Sequence, residues 1–242
     1  MTTGLLLVHA FPVDARMWGA QLGGPRTIAP DLPGFGGTPA AEEGVMTMHR
    51  AADRCIEALD TAGLDRAVVC GLSMGGYVAF ELWRRTRERF AGLVLANTRA
   101  GADTPEGVAA RRALAERLRS EGNVLVDSPP PLLSEDPPAG MWDTVRDWIG
   151  DQPAEAIAAA ALGMAERPDS ATDLETIDVP TLVITSEGDT LIPAEVSAPM
   201  ADQIPGARLA VLPRAGHLSN VEDPDGFSDL LWDHVERCGA ER

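Results

Sequence analysis

At 242 residues, with 45% hydrophobic side chains, the chain is long enough to bury a full core and suits one α/β domain carrying an insertion. Its formal net charge of −17 repels nucleic-acid phosphates and anionic lipid surfaces, so no nucleic-acid or membrane partner is expected. All the basic charge is arginine, which removes Schiff-base chemistry and a lysine-dependent phosphate loop.

The chain opens Met-Thr-Thr-Gly and runs directly into the apolar Leu5–Val8, without the basic segment, long apolar core and cleavage site of a signal peptide. No apolar run approaches the roughly 20 residues that span a bilayer, and a cytoplasmic protein is expected. Leu5–Val8 is the first of six short apolar runs; Arg26–Ala29, Ala67–Cys70, Leu93–Ala96, Thr181–Thr185 and Leu209–Leu212 follow, each flanked by Gly, Pro or Asp. Runs apolar throughout suit strands covered on both faces. The intervening Met48–Ala62, Gly75–Arg85, Ala194–Gln203 and Gly226–Arg237 have helical periodicity. The pattern predicts an α/β fold: a doubly wound, mostly parallel sheet of about six strands wrapped by helices. Right-handed crossovers place the first strand beside both the second and the third. The strand near Arg26 then lies at an edge, and the nearby Pro25 and Pro30 predict that it is short.

Between Asn97 and about Thr172 the alternation stops. A charged helix near Pro105–Ser120, prolines at Pro129–Pro131 and Pro137–Pro138, and helices near Met141–Ile149 and Ala154–Glu166 take its place. Trp142, Trp148, Met141 and Met164 make this stretch too apolar for a linker, and it reads as a helical cap over residues 98–172 inserted into a core of 1–97 and 173–242. Cys55, Cys70 and Cys238 are odd in number and form no CxxC pair, so they suggest reduced packing thiols rather than disulfides or a metal site.

The strongest chemical signal is Gly71-Leu72-Ser73-Met74-Gly75, which follows the run Ala67–Cys70 and precedes a helical pattern. G-x-S-x-G between strand and helix presents a serine hydroxyl from a tight turn, and the glycines let strand and helix cross. A general base should follow in the order serine, acid, histidine. His217, in Ala215-Gly216-His217-Leu218, lies just after the last apolar run, whereas His49 and His234 fall in helical patterns and suit surface or packing roles. The acid belongs at a strand end before the histidine. Asp189 fits, Glu187 competes on spacing alone, and the alternative position after Leu93–Ala96 holds the uncharged Asn97. The backbone N–H of Met74 and that of Phe11, in the stretch His9-Ala10-Phe11-Pro12, are the expected oxyanion donors. His9 is expected to brace that loop rather than react.

Taken together, His9–Pro12, Pro30-Asp31-Leu32-Pro33-Gly34-Phe35-Gly36, Gly71–Gly75, Gly188-Asp189 and Gly216-His217 occur in the order that resembles the α/β-hydrolase superfamily over nearly the whole chain. Ala10 departs from the family's usual glycine, and Met1–Gly4 leave no room for the N-terminal hairpin common in the family, which needs at least about ten residues. The resemblance implies no metal or organic cofactor and a pocket between core and cap, with Trp142, Trp148 and Met164 as candidate lining. Within the superfamily the chain looks most like small capped esterases, lactonases and the cofactor-free haloperoxidase/perhydrolase relatives. The expected activity is hydrolysis of a small carboxylic ester or lactone through an acyl-enzyme on Ser73, with Ser73, His217 and Asp189 as a triad. Carbon–carbon bond hydrolysis, thioester cleavage, acyl transfer, peracid formation and a non-catalytic receptor use the same frame, while a serine at the elbow excludes the usual dehalogenase or epoxide-hydrolase chemistry.

Overall fold

The computed structural model describes residues 1–24 and 26–240. Its sheet consists of β1 (Thr3–Val8), β2 (Thr27–Ile28), β3 (Arg66–Leu72), β4 (Phe90–Ala96), β5 (Thr181–Ser186) and β6 (Arg208–Leu212). Among the described residues every strand pair is parallel, in the order β2-β1-β3-β4-β5-β6. The first strand therefore lies between the second and third, as the crossover rule predicts. β4 and β5 are buried along their whole length and β3 after its first residue, so both faces of the central sheet are covered. Outer strand β6 alternates instead, with Leu209 and Val211 exposed and Leu212 buried. At the other edge, the strand expected over Arg26–Ala29 shrinks to two residues paired with Leu5 and Leu6. Pro30 has no N–H with which to extend the ladder. Pro25, also expected to shorten this edge, lies outside the described residues.

The helices are α1 (Met48–Thr61), α2 (Met74–Arg85), α3 (Pro105–Glu121), α4 (Met141–Gly150), α5 (Ala154–Ala165), α6 (Ala194–Ser197), α7 (Pro199–Gln203), α8 (Ser219–Glu222) and α9 (Pro224–Arg237). Their starts follow capping chemistry: Thr47, Thr104 and Asp223 each accept a hydrogen bond from a first-turn N–H, worth about 1 kcal/mol apiece. The helix expected over Ala194–Gln203 is two pieces, because Pro199 cannot donate to the preceding turn and its ring crowds that turn. The final helix starts at Pro224 rather than Gly226, since Asp223 caps it. Among the described residues, four 3-10 helices, Ala15–Gln21, Glu42–Gly44, Arg87–Arg89 and Ala171–Thr176, are too short to leave a periodic signature in the sequence.

Between β4 and β5, α3 packs against α5, and Ala115, Leu118, Val145, Ile149, Ile157 and Met164 are buried. The small side chains of α5 allow close approach to the sheet's loops: a Cβ added to Gly34 would stand 2.8 Å from Ala156 Cβ, and Met46 N donates to Ala159 O at 3.0 Å. Polar ties complete the attachment. Gln152 accepts from Gly36 N at 3.1 Å and donates to Asp14 Oδ2 at 2.6 Å, while Leu218 N donates to Leu132 O at 2.8 Å. The Glu222 carboxylate accepts from Ser134 Oγ, from Ser134 N at 3.0 Å and from Gly216 N at 2.8 Å. The side chain of Asp103, 2% exposed, is ringed by Arg99, Arg111 and Arg167, and the Arg167 guanidinium lies 4.1 Å from the centre of the Tyr77 ring. Burial alone would raise the Asp103 pKa, but hydrogen bonds from Arg167 and Arg111 pull it down to about 2.

Candidate active site

Ser73 joins β3 to α2 in a backbone conformation that side chains rarely adopt, φ 56° and ψ −114°. Such a residue costs of order 1–3 kcal/mol and persists only where its neighbours hold it. Here Ser73 N donates to Ala96 O at 2.9 Å, and Ser73 O accepts from Gly76 N at 2.9 Å and Thr98 Oγ1 at 2.7 Å. The flanking glycines are required by space. A Cβ on Gly75 would run into the carbonyl oxygen of Val8, and one on Gly71 into that of Gly75. The serine sits at the N-terminus of a 12-residue helix, where the local dipole favours negative charge.

His217 lies on the loop between β6 and α8, with Nε2 2.7 Å from Ser73 Oγ and Nδ1 2.8 Å from Asp189 Oδ2. His217 and Asp189 are buried, and Ser73 is 7% exposed. The second oxygen of Asp189 accepts from the N–H groups of Leu191 and Ile192, each at 2.9 Å. Burial would raise the Asp189 pKa, but the bond and charge of His217, then Ile192 N–H and Asn97, hold it below the ordinary carboxylate range. An ionised carboxylate can only accept, so Nδ1 carries the imidazole proton and Nε2 faces the serine hydroxyl as an acceptor. Glu187 is exposed and has its N–H on Leu212 O instead. His49 pairs with Glu81 at the surface, and His234 is packed beside Cys238.

Three buried side chains around Asp189 escape motif reading. Asn97 Nδ2 donates to Asp189 Oδ2 at 2.9 Å and to Ser186 Oγ at 2.6 Å. Ser219 Oγ donates to Asn97 Oδ1 at 2.6 Å, and Ser186 Oγ to Gly216 O at 2.6 Å. The only sequence signal was that Asn97 occupies a strand end where an acid would also fit.

Met74 is the first residue of α2 and is buried, while Phe11 lies half-buried in the turn after β1. Val8 pairs with Gly71 across the sheet, and the Gly75 backbone lies against Val8 O, so this turn and the serine turn share one end of the sheet. The Phe11–Pro12 peptide is cis. His9 accepts from Leu32 N at Nε2 (3.1 Å), and its Nδ1 is 2.9 Å from Ala10 O, tying the turn to the Pro30–Gly36 loop. Burial holds the His9 pKa below its usual value.

Trp142, Trp148 and Met164 are more dispersed. Arg146 lies 5.4 Å from the Trp142 ring centre, Met164 is buried with its sulfur 3.4 Å from Arg111, and Trp148 lines a groove of about 530 Å³ with Arg16, Arg146 and Asp151. None of these contacts reaches Ser73. Among the described residues, no group of three or more His, Cys, Asp or Glu side chains could hold a metal ion, and no helix is long and apolar enough to cross a membrane.

Residues 5–230 match the model of a family described as the alpha/beta hydrolase family. The chain is 30% identical to a pimeloyl-(acyl-carrier protein) methyl ester esterase of Aromatoleum aromaticum, covering 96% of this chain and 97% of that one. Its fold is similar to that of a thermophilic esterase from Thermogutta terrifontis with malate bound, at a TM-score of 0.92 and 40% identity over 98% of this chain and 92% of that one. The enol-lactonase of Burkholderia xenovorans LB400 is similar at a TM-score of 0.86 and 27% identity, with 98% and 92% covered.

Proposed function

Because the chain belongs to the alpha/beta hydrolase family and is an enzyme of that family, we propose that it hydrolyses a small carboxylic ester or lactone through an acyl-enzyme on Ser73. The observation that carries this reading is the buried hydrogen-bonded line from Ser73 Oγ through His217 to Asp189, at 2.7 and 2.8 Å. His217 Nε2 takes the serine proton as Oγ attacks the carbonyl carbon, and Asp189 stabilises the imidazolium that results. The oxyanion is assigned to the backbone N–H groups of Phe11 and Met74. Collapse expels the alcohol, which leaves with the proton from His217; in a lactone it stays tethered to the acyl group. Water then attacks the acyl-enzyme along the reverse path.

Residues 98–172 are assigned as a helical cap on a core of 1–97 and 173–242. Ligands of open α/β sheets bind outside the carboxyl ends of the strands, and Ser73 and Asp189 follow the carboxyl ends of β3 and β5. Trp142, Trp148 and Met164 are assigned to the substrate pocket beneath or beside that cap. The small exposure of Ser73 favours a compact substrate. The relatives named above are esterases and a lactonase, which favours the same substrate class. The three unpaired cysteines favour the cytoplasm.

The test is turnover of short-chain esters, small lactones and thioesters by the wild type, Ser73→Ala and His217→Ala, with fluorophosphonate labelling of the serine. Both variants are expected to fold and lose turnover. Retention of more than about a tenth of the wild-type kcat by either would overturn the reading. Preference for the thioesters would redirect it.

A further inference from the structure

Asn97 leaves the end of β4 with φ 44°, a left-handed conformation in which its short polar side chain turns toward β5. Asn97, Ser186 and Ser219 are all wholly buried, so each polar atom needs a partner there. Both amide hydrogens and the carbonyl of Asn97 are used: one hydrogen on Asp189 Oδ2, one on Ser186 Oγ, the carbonyl receiving Ser219 Oγ. Ser186 spends its own hydrogen on Gly216 O. That fixes the polarity of the chain, because a reversed amide would aim its oxygen at the Asp189 carboxylate. Three segments thus meet at one side chain: the end of β4, the end of β5 and the loop that carries His217.

Asp189 Oδ2 receives Asn97 Nδ2 at 2.9 Å and His217 Nδ1 at 2.8 Å. The amide therefore competes for the same oxygen as the imidazole and fixes the direction from which the imidazole can be met. We propose that Asn97 is a positioning residue of this site: it orients the Asp189 carboxylate toward His217 and sets how much of the carboxylate charge the imidazole feels. The proposal rests on the reading of Ser73, His217 and Asp189 as the reacting set. The titratable groups facing the Asn97 amide are Asp189 and, across the shared oxygen, His217. Glu222 is one step further out, bound to Gly216 N.

Asn97→Ala removes one donor from Asp189, leaving more negative charge opposite the imidazolium. It should lower kcat about ten- to a hundredfold, the worth of one hydrogen bond to a charged group, with KM changed less than about threefold. The acid limb of the kcat profile should move to higher pH by about half a unit or more. Asn97→Asp keeps the size but sets a second carboxyl beside Asp189. The new carboxyl replaces an N–H donor by a group that ionises as the pH rises, and that charge should move the acid limb in the same direction. This variant carries the test should Asn97→Ala fail to fold. Ser73→Ala is assayed in parallel. If it keeps turnover, the triad reading falls first. If it is inactive while the folded Asn97 variant matches the wild type in kcat and acid limb, the role of Asn97 alone is overturned. A lowered Tm with an unmoved pH profile has the same consequence, since a merely structural asparagine would give that result.

Discussion

The imidazole of His217 meets the carboxylate of Asp189 at 2.8 Å with neither side chain reaching solvent, while Glu187, two residues earlier in the chain, is exposed. Spacing alone does not separate these two acids, but their environments do. Asp189→Asn offers Nδ1 an amide that no longer stabilises the imidazolium or enforces its tautomer. We expect kcat on a short-chain ester to drop by about 10⁴, with Glu187→Gln unchanged within about twofold. Steady-state kinetics on the two folded variants decide it, and the reverse pattern would move the acid to Glu187.

Gly75 has the Val8 carbonyl where a side chain would begin. The obstructing atom belongs to a central strand and cannot swing aside. Gly75→Ala should cost about 3 kcal/mol or more, read as a lower urea midpoint or as loss of soluble protein. Gly19→Ala, in a 3-10 helix with nothing within 4 Å of the added carbon, should stay within about 1 kcal/mol of the wild type. Equal stability of the two variants would contradict the close crossing of strand and helix.

Removing the carboxylate at Asp103 leaves Arg167, 3% exposed, without the acid it pairs with. A buried charge stripped of its partner typically costs about 3–5 kcal/mol. Asp103→Asn should therefore lower Tm strongly, while the fraction still folded at 25 °C keeps its kcat within about threefold. A Tm within two degrees of the wild type would mean that the three arginines find other partners or water.

Stability should depend on pH in two separate windows. Burial depresses the pKa of His9, and burial followed by the charge of Arg208 depresses that of His234 to about 4. The folded state prefers both neutral, so their contribution is complete above about pH 6.5 and declines as the pH falls below it. For His234 the loss runs down to about pH 4 and amounts to about 3 kcal/mol. Asp103, depressed to about 2, begins to weaken only below its ordinary value near 3.8. Urea unfolding from pH 7.5 to 5 should show the first decline, and Asn or Gln at both histidines should flatten it. A flat wild-type curve over that range would refute the assignment.

The parts of this molecule legible in the sequence are those that repeat a local rule. Six apolar runs gave six strands, and the place of the first strand between the second and third followed from the handedness of the crossovers. G-x-S-x-G placed Ser73 between strand and helix because the steric demand of that turn falls on adjacent residues. Asn97, Ser186 and Ser219 were illegible for the opposite reason: their meaning arises only when the ends of β4 and β5 converge with the start of α8, and no spacing along the chain encodes that. The expected Ala194–Gln203 helix divides at Pro199, because apolar periodicity carries no trace of one missing N–H. Trp142 and Trp148 announced an apolar segment but not its facing, since the prolines before Met141 leave the orientation of α4 open to packing.

The segment between β4 and β5 leaves from and returns to neighbouring strands, with Ala96 paired to Ile184. Topologically most of it can be lifted out without cutting the sheet, and Ser73, His217 and Asp189 lie on the part that remains, provided that Asn97 and Thr98, whose side chains bond Asp189 and Ser73 O, are kept with β4. A graft from another member of the family could therefore replace the segment proposed as the cap while Ser73, His217 and Asp189 are inherited with the sheet. Such a graft has terms to meet. It must offer a carbonyl to Leu218 N, as Leu132 does, an N–H to Glu222, as Ser134 does, and an amide to Asp14 and Gly36, as Gln152 does. Two of those terms grip the loop on which His217 rides and the third grips the turns around Asp14 and Gly36, so a replacement that ignored them would unsettle His217 while leaving every residue of that loop unchanged.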